Sequence, residues 1–392
     1  MSVERERVGD PFDGGPPMRL QRALGLATVG DAKFARRAAL VALAAWLPLA
    51  VLAIVDGFAT GEHRILSFLG DYAVHARLLL AAPLLVLAEK PCIARLGGIG
   101  RHFLEVGLVP ESARGRYESI VQSTRRLRDS PSAEIAAVVL AYTVVALLIA
   151  FAQPSSMPRW HVAVGGTFPA LSPAGWWHLL VSLPLLLVLF IGWLWRLFLW
   201  TRFLWLIARL DLRLVPVHPD GFAGLAFVGH SVRSFATIAI AMGCVLAGRM
   251  AEQVLHHGHS PGAFAWPAAG LLAAVALLFG APLAVFGPPL LRAYRRGVFT
   301  YGALASRMGQ SFEHKWLTPG ADAGRDALEM PDFSATTDLY QIASNSYRVR
   351  PLPLDLVSLL LLAAATLLPF IPVLVITLPF RVIIDGIGKL LV

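Results

Sequence analysis

Apolar residues along this chain are bunched into runs separated by basic and polar stretches. Five runs are long: Ala38–Ile54, Ser132–Ala152, Trp177–Leu199, Phe264–Leu291 and Leu356–Leu378. Two are shorter, Ala76–Ala88 and Phe235–Ala247, and need flanking residues to reach the roughly 20 apolar positions that a bilayer-spanning helix requires. The pattern predicts an all-α fold, a polytopic helical membrane protein with about seven transmembrane helices. The third run has a clear start: Ser130 is suited to cap it, and Pro131 fits the first helical position, where a missing N–H costs nothing.

Residues 1–37 precede the first run and read as a flexible basic cytoplasmic arm, broken at Asp13-Gly14-Gly15-Pro16-Pro17. Its Met18–Arg37 part is partly amphipathic and suits a lipid surface. The first run starts too far in for a cleaved signal peptide and reads as a retained span. Residues 38–392 form the helical membrane domain, with two longer cytoplasmic segments. In 91–131, Ala113, Tyr117, Ile120, Val121, Thr124 and Leu127 fall at helical spacing opposite Arg114, Glu118, Gln122 and Arg125, which predicts an amphipathic helix. Segment 292–355 holds two helix-like stretches around a Pro319-Gly320 break. No internal repeat or low-complexity tract stands out.

Composition agrees. The 392 residues are 56% hydrophobic and 15% charged, against roughly 25% charged in a typical soluble domain. The net charge of +9 would suit nucleic acid if the basic residues formed one patch, but their placement is topological. With the amino terminus inside, 28 of the 34 lysines and arginines fall in inner segments and 6 outside. That is the positive-inside pattern of a bacterial inner (cytoplasmic) membrane protein. The expected partner is the bilayer, with anionic lipid headgroups at the cytoplasmic face and no nucleic acid. A homo-oligomer or a cytoplasmic protein partner stays open. Seven spans put Arg381–Val392 outside, following a full seventh span with a short interfacial helix; the alternative is a last run that dips in and returns. Cys92 and Cys244 lie at or within apolar runs, so no disulfide framework is indicated.

Several stretches resemble an uncharacterised family of bacterial polytopic inner-membrane proteins. They are Ser172-Pro173-Ala174-Gly175-Trp176-Trp177, the run from Trp193 to Trp200, Arg209–Pro216 with His218-Pro219-Asp220, then Tyr301-Gly302, Phe312–Leu317 and Ser344-Asn345-Ser346-Tyr347. The likeness covers most of the chain from the second span onward. After His218-Pro219-Asp220 the family pattern continues with an arginine and a Gly-Gly pair, from which Gly221-Phe222-Ala223-Gly224 departs. The family has no established activity, so the resemblance implies topology and no catalytic residue.

Candidate chemistry is sparse. His218 and Asp220 read either as a ligand or proton-handling pair at the inner surface or as a structural turn. His256, His257 and His259 suit zinc, copper or nickel as neutral imidazoles, or are polar residues of a short loop. His63, His75, His161 and His178 also fall outside in this topology; His102, His230 and His314 fall inside. Within the spans, Arg77 and Glu89 lie near opposite ends of the second, where both can snorkel to the interface and are too far apart to pair. Arg196 belongs to a tryptophan–arginine interfacial belt with Trp193, Trp195, Trp200, Trp205, Arg202 and Arg209. No span offers a central acid, which counts against proton coupling. Pro48, Pro83, Pro184, Pro282 and Pro369 interrupt five spans, as broken helices of transporters do and as membrane helices in general tolerate. Ala239 and Gly243 form a small-xxx-small pair suited to close packing.

No nucleotide, dinucleotide, nucleophile-elbow or metalloprotease motif occurs, so no catalytic residue and no cofactor is assigned. The expectation is solute or ion transport or sensing without an ATPase of its own. The alternative is a non-transporting scaffold or lipid-interacting protein, and a weaker third is an interfacial enzyme built on His218 and Asp220.

Overall fold

The structure, a computed structural model, describes residue 12 and residues 32–60, 64–151, 158–163, 171–317 and 332–377. Most of the amino-terminal arm, the Pro319-Gly320 break and the tail carrying Arg381 and Lys389 lie outside the described residues. The elements are α1 (Ala32–Thr60), α2 (Arg64–Leu69), α3 (Tyr72–Glu105, with a turn at Ala88), α4 (Arg114–Arg128) and α5 (Pro131–Phe151). They continue with α6 (Pro173–Ala208), α7 (Ala226–His257), α8 (Pro261–Trp316), α9 (Asp332–Tyr347), α10 (Leu356–Leu367) and α11 (Phe370–Thr377). The fold is all-α; no strand occurs among the described residues, only an isolated bridge between Val162 and Leu171.

Among the described residues six helices are long and apolar enough to cross a membrane, and a seventh crossing follows if the pair α10–α11, bent by 51° at Leu368-Pro369, counts as one. The predicted third span matches α5 within a residue at each end. The two short runs become long helices because polar flanks continue them: α3 runs on past Glu89 and α7 begins at Ala226. The outer faces are compatible with an apolar medium. α5 buries Ala137, Ala141 and Val145 against the bundle and exposes Ile135, Val139, Leu140, Leu147, Leu148 and Phe151. A patch of that extent is untenable in water and ordinary in lipid.

The bundle centres on α3, α6 and α7. α7 is wedged in by its small residues. A Cβ at Gly243 would collide with the Thr366 carbonyl and the Pro369 ring, and one at Gly248 with Ala76. Gly243, of the predicted small-residue pair, thus lets α10 approach to backbone contact, and Gly248, outside that pair, does the same for α3; packing rather than hydrophobic expulsion supplies the attraction. The helices expected in segments 91–131 and 292–355 also form. α4 buries Tyr117, Ile120 and Thr124, and Tyr117 donates to the Gly100 carbonyl at 2.5 Å. α8 continues well past its apolar part and pairs with α9, where Lys315 meets Asp332.

The prolines act at defined places. Pro83 and Pro184 each follow one turn of π-helix, at Ala76–Ala81 and His178–Ser182. In each, the N–H just before the proline (Ala82, Leu183) reaches back five residues, to the carbonyls of Arg77 and His178. Proline has no N–H of its own to close the next α-turn, and the wider turn moves the bonding register ahead of it. The Leu180 carbonyl, which Pro184 leaves without its helical donor, accepts from the Tyr142 hydroxyl at 2.9 Å.

Candidate functional site

Asp71 starts α3 as its N-cap, accepting from the Val74 amide at 2.9 Å, and its other oxygen accepts from the Trp160 indole at 3.1 Å. Ser172 starts α6 in the same way, accepting from the Gly175 amide at 2.9 Å. The Ser172 hydroxyl also donates to the Trp160 carbonyl, and its amide to the His161 carbonyl. Gly175 lies so close to that carbonyl that no Cβ fits. These bonds pin the short segment Pro158–Ala163 against the first turns of both helices, with Trp160 fully buried against Phe68.

The result is a cavity of about 230 Å³ lined by Asp71, Arg77, Trp160, His161, His178, Arg249 and Glu252 among apolar neighbours. His161 Nε2 and His178 Nδ1 lie 2.9 Å apart, both rings buried, so one proton sits between them. His161, in the connecting segment, is held down at about 4 by burial and then by the Arg77 charge, and is therefore neutral at physiological pH. Its Nδ1 is buried without a hydrogen-bond partner. Arg77 donates from Nε to the Ala73 carbonyl at 3.0 Å, and among the described residues no carboxylate lies within ion-pair distance of it. Glu252 Oε2 is buried without a hydrogen bond; Arg249 Nη1 is 3.6 Å away.

No family model, curated protein or solved structure matches this chain. The site is therefore read from its own chemistry. An ionisable group inside a membrane helix is costly and ordinarily marks a pathway or binding site, and π-turns concentrate at such places. Here the two π-turns carry Arg77 and His178 themselves.

Of the residues singled out in the sequence, Arg77 is in this cavity. Glu89 is not, and it does not snorkel. It is buried at the opposite end of α3, where Arg37 and Arg196 each reach one of its oxygens at 3.0 Å. A buried carboxylate held by two guanidiniums gains more than it would by reaching water past packed neighbours. The tryptophan–arginine belt is split accordingly. Arg196 and Trp200 turn inward, Trp200 and Phe203 receiving the Phe12 ring, while Trp205 stays at the surface under Arg209.

His218 and Asp220 lie at this same end, in the turn between α6 and α7. Asp220 accepts from the amides of Phe222, Gly224 and Ala226 at 2.8–3.2 Å, and His218 Nδ1 is 2.9 Å from it. Both carboxylate oxygens are committed to folding the turn, in which Ala223 adopts a positive φ of 54°. The histidine metal site does not assemble. His256 stacks on Tyr72, and among the described residues no three His, Cys, Asp or Glu side chains group as ligands.

Sequence reasoning set His161 and His178 on the outer side without a role, and assigned none to Asp71, Trp160 or Glu252. One signal was present: Asp71, Arg77 and Pro83 recur at identical spacing as Ser172, His178 and Pro184, so the N-cap, π-turn and proline form a short repeated unit.

Proposed function

We propose that the chain is a bacterial inner-membrane protein that admits a small polar solute from the outer side into the Arg77–His178–Glu252 cavity, for transport or sensing and without ATP hydrolysis. The supporting observation is that cavity: titratable groups from α3, α6, α7 and the Pro158–Ala163 segment face a common space. The arginine asymmetry supports the outer side for it. The opposite end holds the buried Arg37–Glu89–Arg196 cluster and Phe12 against Trp200 and Phe203, a packing that suits a site loaded from one face at a time. Its volume fits a small solute.

The test is reconstitution of the full chain into liposomes, with flux of a broad panel of small solutes, alongside ligand-induced thermal stabilisation in detergent. At least one solute should stabilise the protein, and Leu179→Trp, which fills the cavity from α6, should abolish the effect. Silence of the whole panel in both assays overturns the reading. A cytoplasmic scaffold is the second reading, favoured by the α8–α9 projection, which leaves Phe299 and Tyr347 exposed. It predicts that a Phe299→Ser/Tyr347→Ser variant loses co-purifying protein while solute responses are unchanged.

A further inference from the structure

The unsatisfied polar atoms of the cavity are of both kinds, and this limits what can fill it. Asp71 is spent on the Val74 amide and the Trp160 indole. Arg77 uses Nε on a backbone carbonyl and presents the rest of its guanidinium to a space in which no described carboxylate pairs with it. Glu252 Oε2 is a buried acceptor without a donor, its nearest cation being Arg249 at 3.6 Å. His161 Nδ1 is a second buried atom without a partner. When His161 donates from Nε2 to His178, that Nδ1 is an acceptor.

The lining also balances in formal charge: Arg77 and Arg249 against Asp71 and Glu252, with His161 neutral. In a low-dielectric site a ligand of net charge would break that balance without recovering its desolvation penalty, whereas one carrying both signs preserves it. Resting on the solute-binding reading above, we infer that the cavity takes a small zwitterion of the amino-acid class, its carboxylate on the Arg77 guanidinium and its ammonium on Glu252 Oε2 and His161 Nδ1. A guanidinium is matched to a carboxylate by its fork of donors, and an ammonium supplies the hydrogens that the two bare acceptors lack. A cavity of about 230 Å³ suits a small amino acid and is too small for a nucleotide.

The experiment is calorimetric titration of the full chain in lipid nanodiscs with glycine, alanine and γ-aminobutyrate, against propionate, propylamine and glycerol. At least one zwitterion should bind tenfold or more tightly than each of the three controls. Glu252→Gln should lower that affinity at least tenfold without changing the response to propionate, and Arg77→Gln should do so without changing the response to propylamine. If either of these variants fails to fold, Arg249→Gln at the exposed rim is the substitute and should weaken the zwitterion two- to fivefold. Equal binding of a control, or a zwitterion affinity untouched by a folded variant, overturns the inference. A neutral or singly charged solute from the broader panel that binds best, and is lost in Leu179→Trp, sinks the zwitterion and leaves the cavity reading standing. No binding by any solute sinks both.

Discussion

Neutralising Glu89 should destabilise the protein more than any other single charge change in it. Its side chain is 3% exposed, and its two oxygens each take a 3.0 Å bond, from Arg37 on α1 and Arg196 on α6. It therefore ties three helices through one carboxylate. Glu89→Gln keeps the shape and removes the charge, so two guanidiniums face a neutral amide. Breaking a buried ion pair by removing one partner costs about 3–5 kcal/mol. Because the amide oxygen still accepts one bond, and Arg37 and Arg196 have further contacts, the lower end applies, about 3 kcal/mol. For a chain larger than a single small domain each kcal/mol moves the midpoint by about 1–2 °C, giving a fall of about 3–6 °C.

Cys92 and Cys244 are free and buried, so a thiol-reactive dye in detergent reports their exposure as the helices separate. Glu105→Gln, at an exposed position on the same helix, is the control and should stay within about 1 °C. Pairing Glu89→Gln with Arg196→Gln should recover part of the loss, because the two residues are directly coupled. A Glu89→Gln midpoint within about 1 °C of the parent, or a double variant no better than additive, would refute the account of this cluster.

Three further outcomes follow from the same geometry. His161 is held at about 4 by burial and Arg77, against about 6.5 in the unfolded chain; on acidification the unfolded chain takes the proton first, so this contribution is complete above about pH 6.5 and is lost between there and about 4. The midpoint should drop through that window in the parent and drop less in His161→Gln; a rise on acidification contradicts the assignment. Gly243→Val drives a side chain into Thr366 and Pro369 and should cost about 1–3 kcal/mol or more and expose the α10–α11 segment to protease, while Gly270→Ala, with open space around it, should do neither. Asp220→Ala deprives three amides of an acceptor and should cost about 1.5–3 kcal/mol, raise hydrogen exchange across residues 215–226, and leave solute binding unchanged; loss of binding would assign a functional role to that turn.

The helices were legible because bilayer thickness imposes a run length that no packing detail overrides, as Pro131–Phe151 shows. The ends were less so. Whether α3 stops at Ala88 or continues depends on Glu89 meeting Arg37 and Arg196, and those come from segments 52 and 107 residues away. A charge beside an apolar run looks the same in sequence whether it snorkels or is buried in a pair. The cavity was hidden for a related reason. Asp71, His161 and Glu252 are individually unremarkable polar residues near the ends of runs, and only the fold brings them together. The turn at His218-Pro219-Asp220 drew notice because its residue types are chemically versatile, yet the same versatility lets Asp220 serve backbone amides.

The repeated spacing of Asp71, Arg77 and Pro83 with Ser172, His178 and Pro184 links local chemistry to the site. In each copy the cap fixes where the helix starts, and the proline fixes where the α-ladder fails. The π-turn between them must then open at the carbonyl of the sixth residue after the cap. A polar side chain at that residue is carried on the widened turn, which in both copies points it into the same cavity. The cap is itself held by Trp160 in both: through its indole on Asp71 and its carbonyl on Ser172. One buried tryptophan thus sets the relative height of the two helices, and with it the register of Arg77 against His178. Placement of the two polar groups accordingly depends on three short-range features that the sequence specifies twice, and on one indole that couples them.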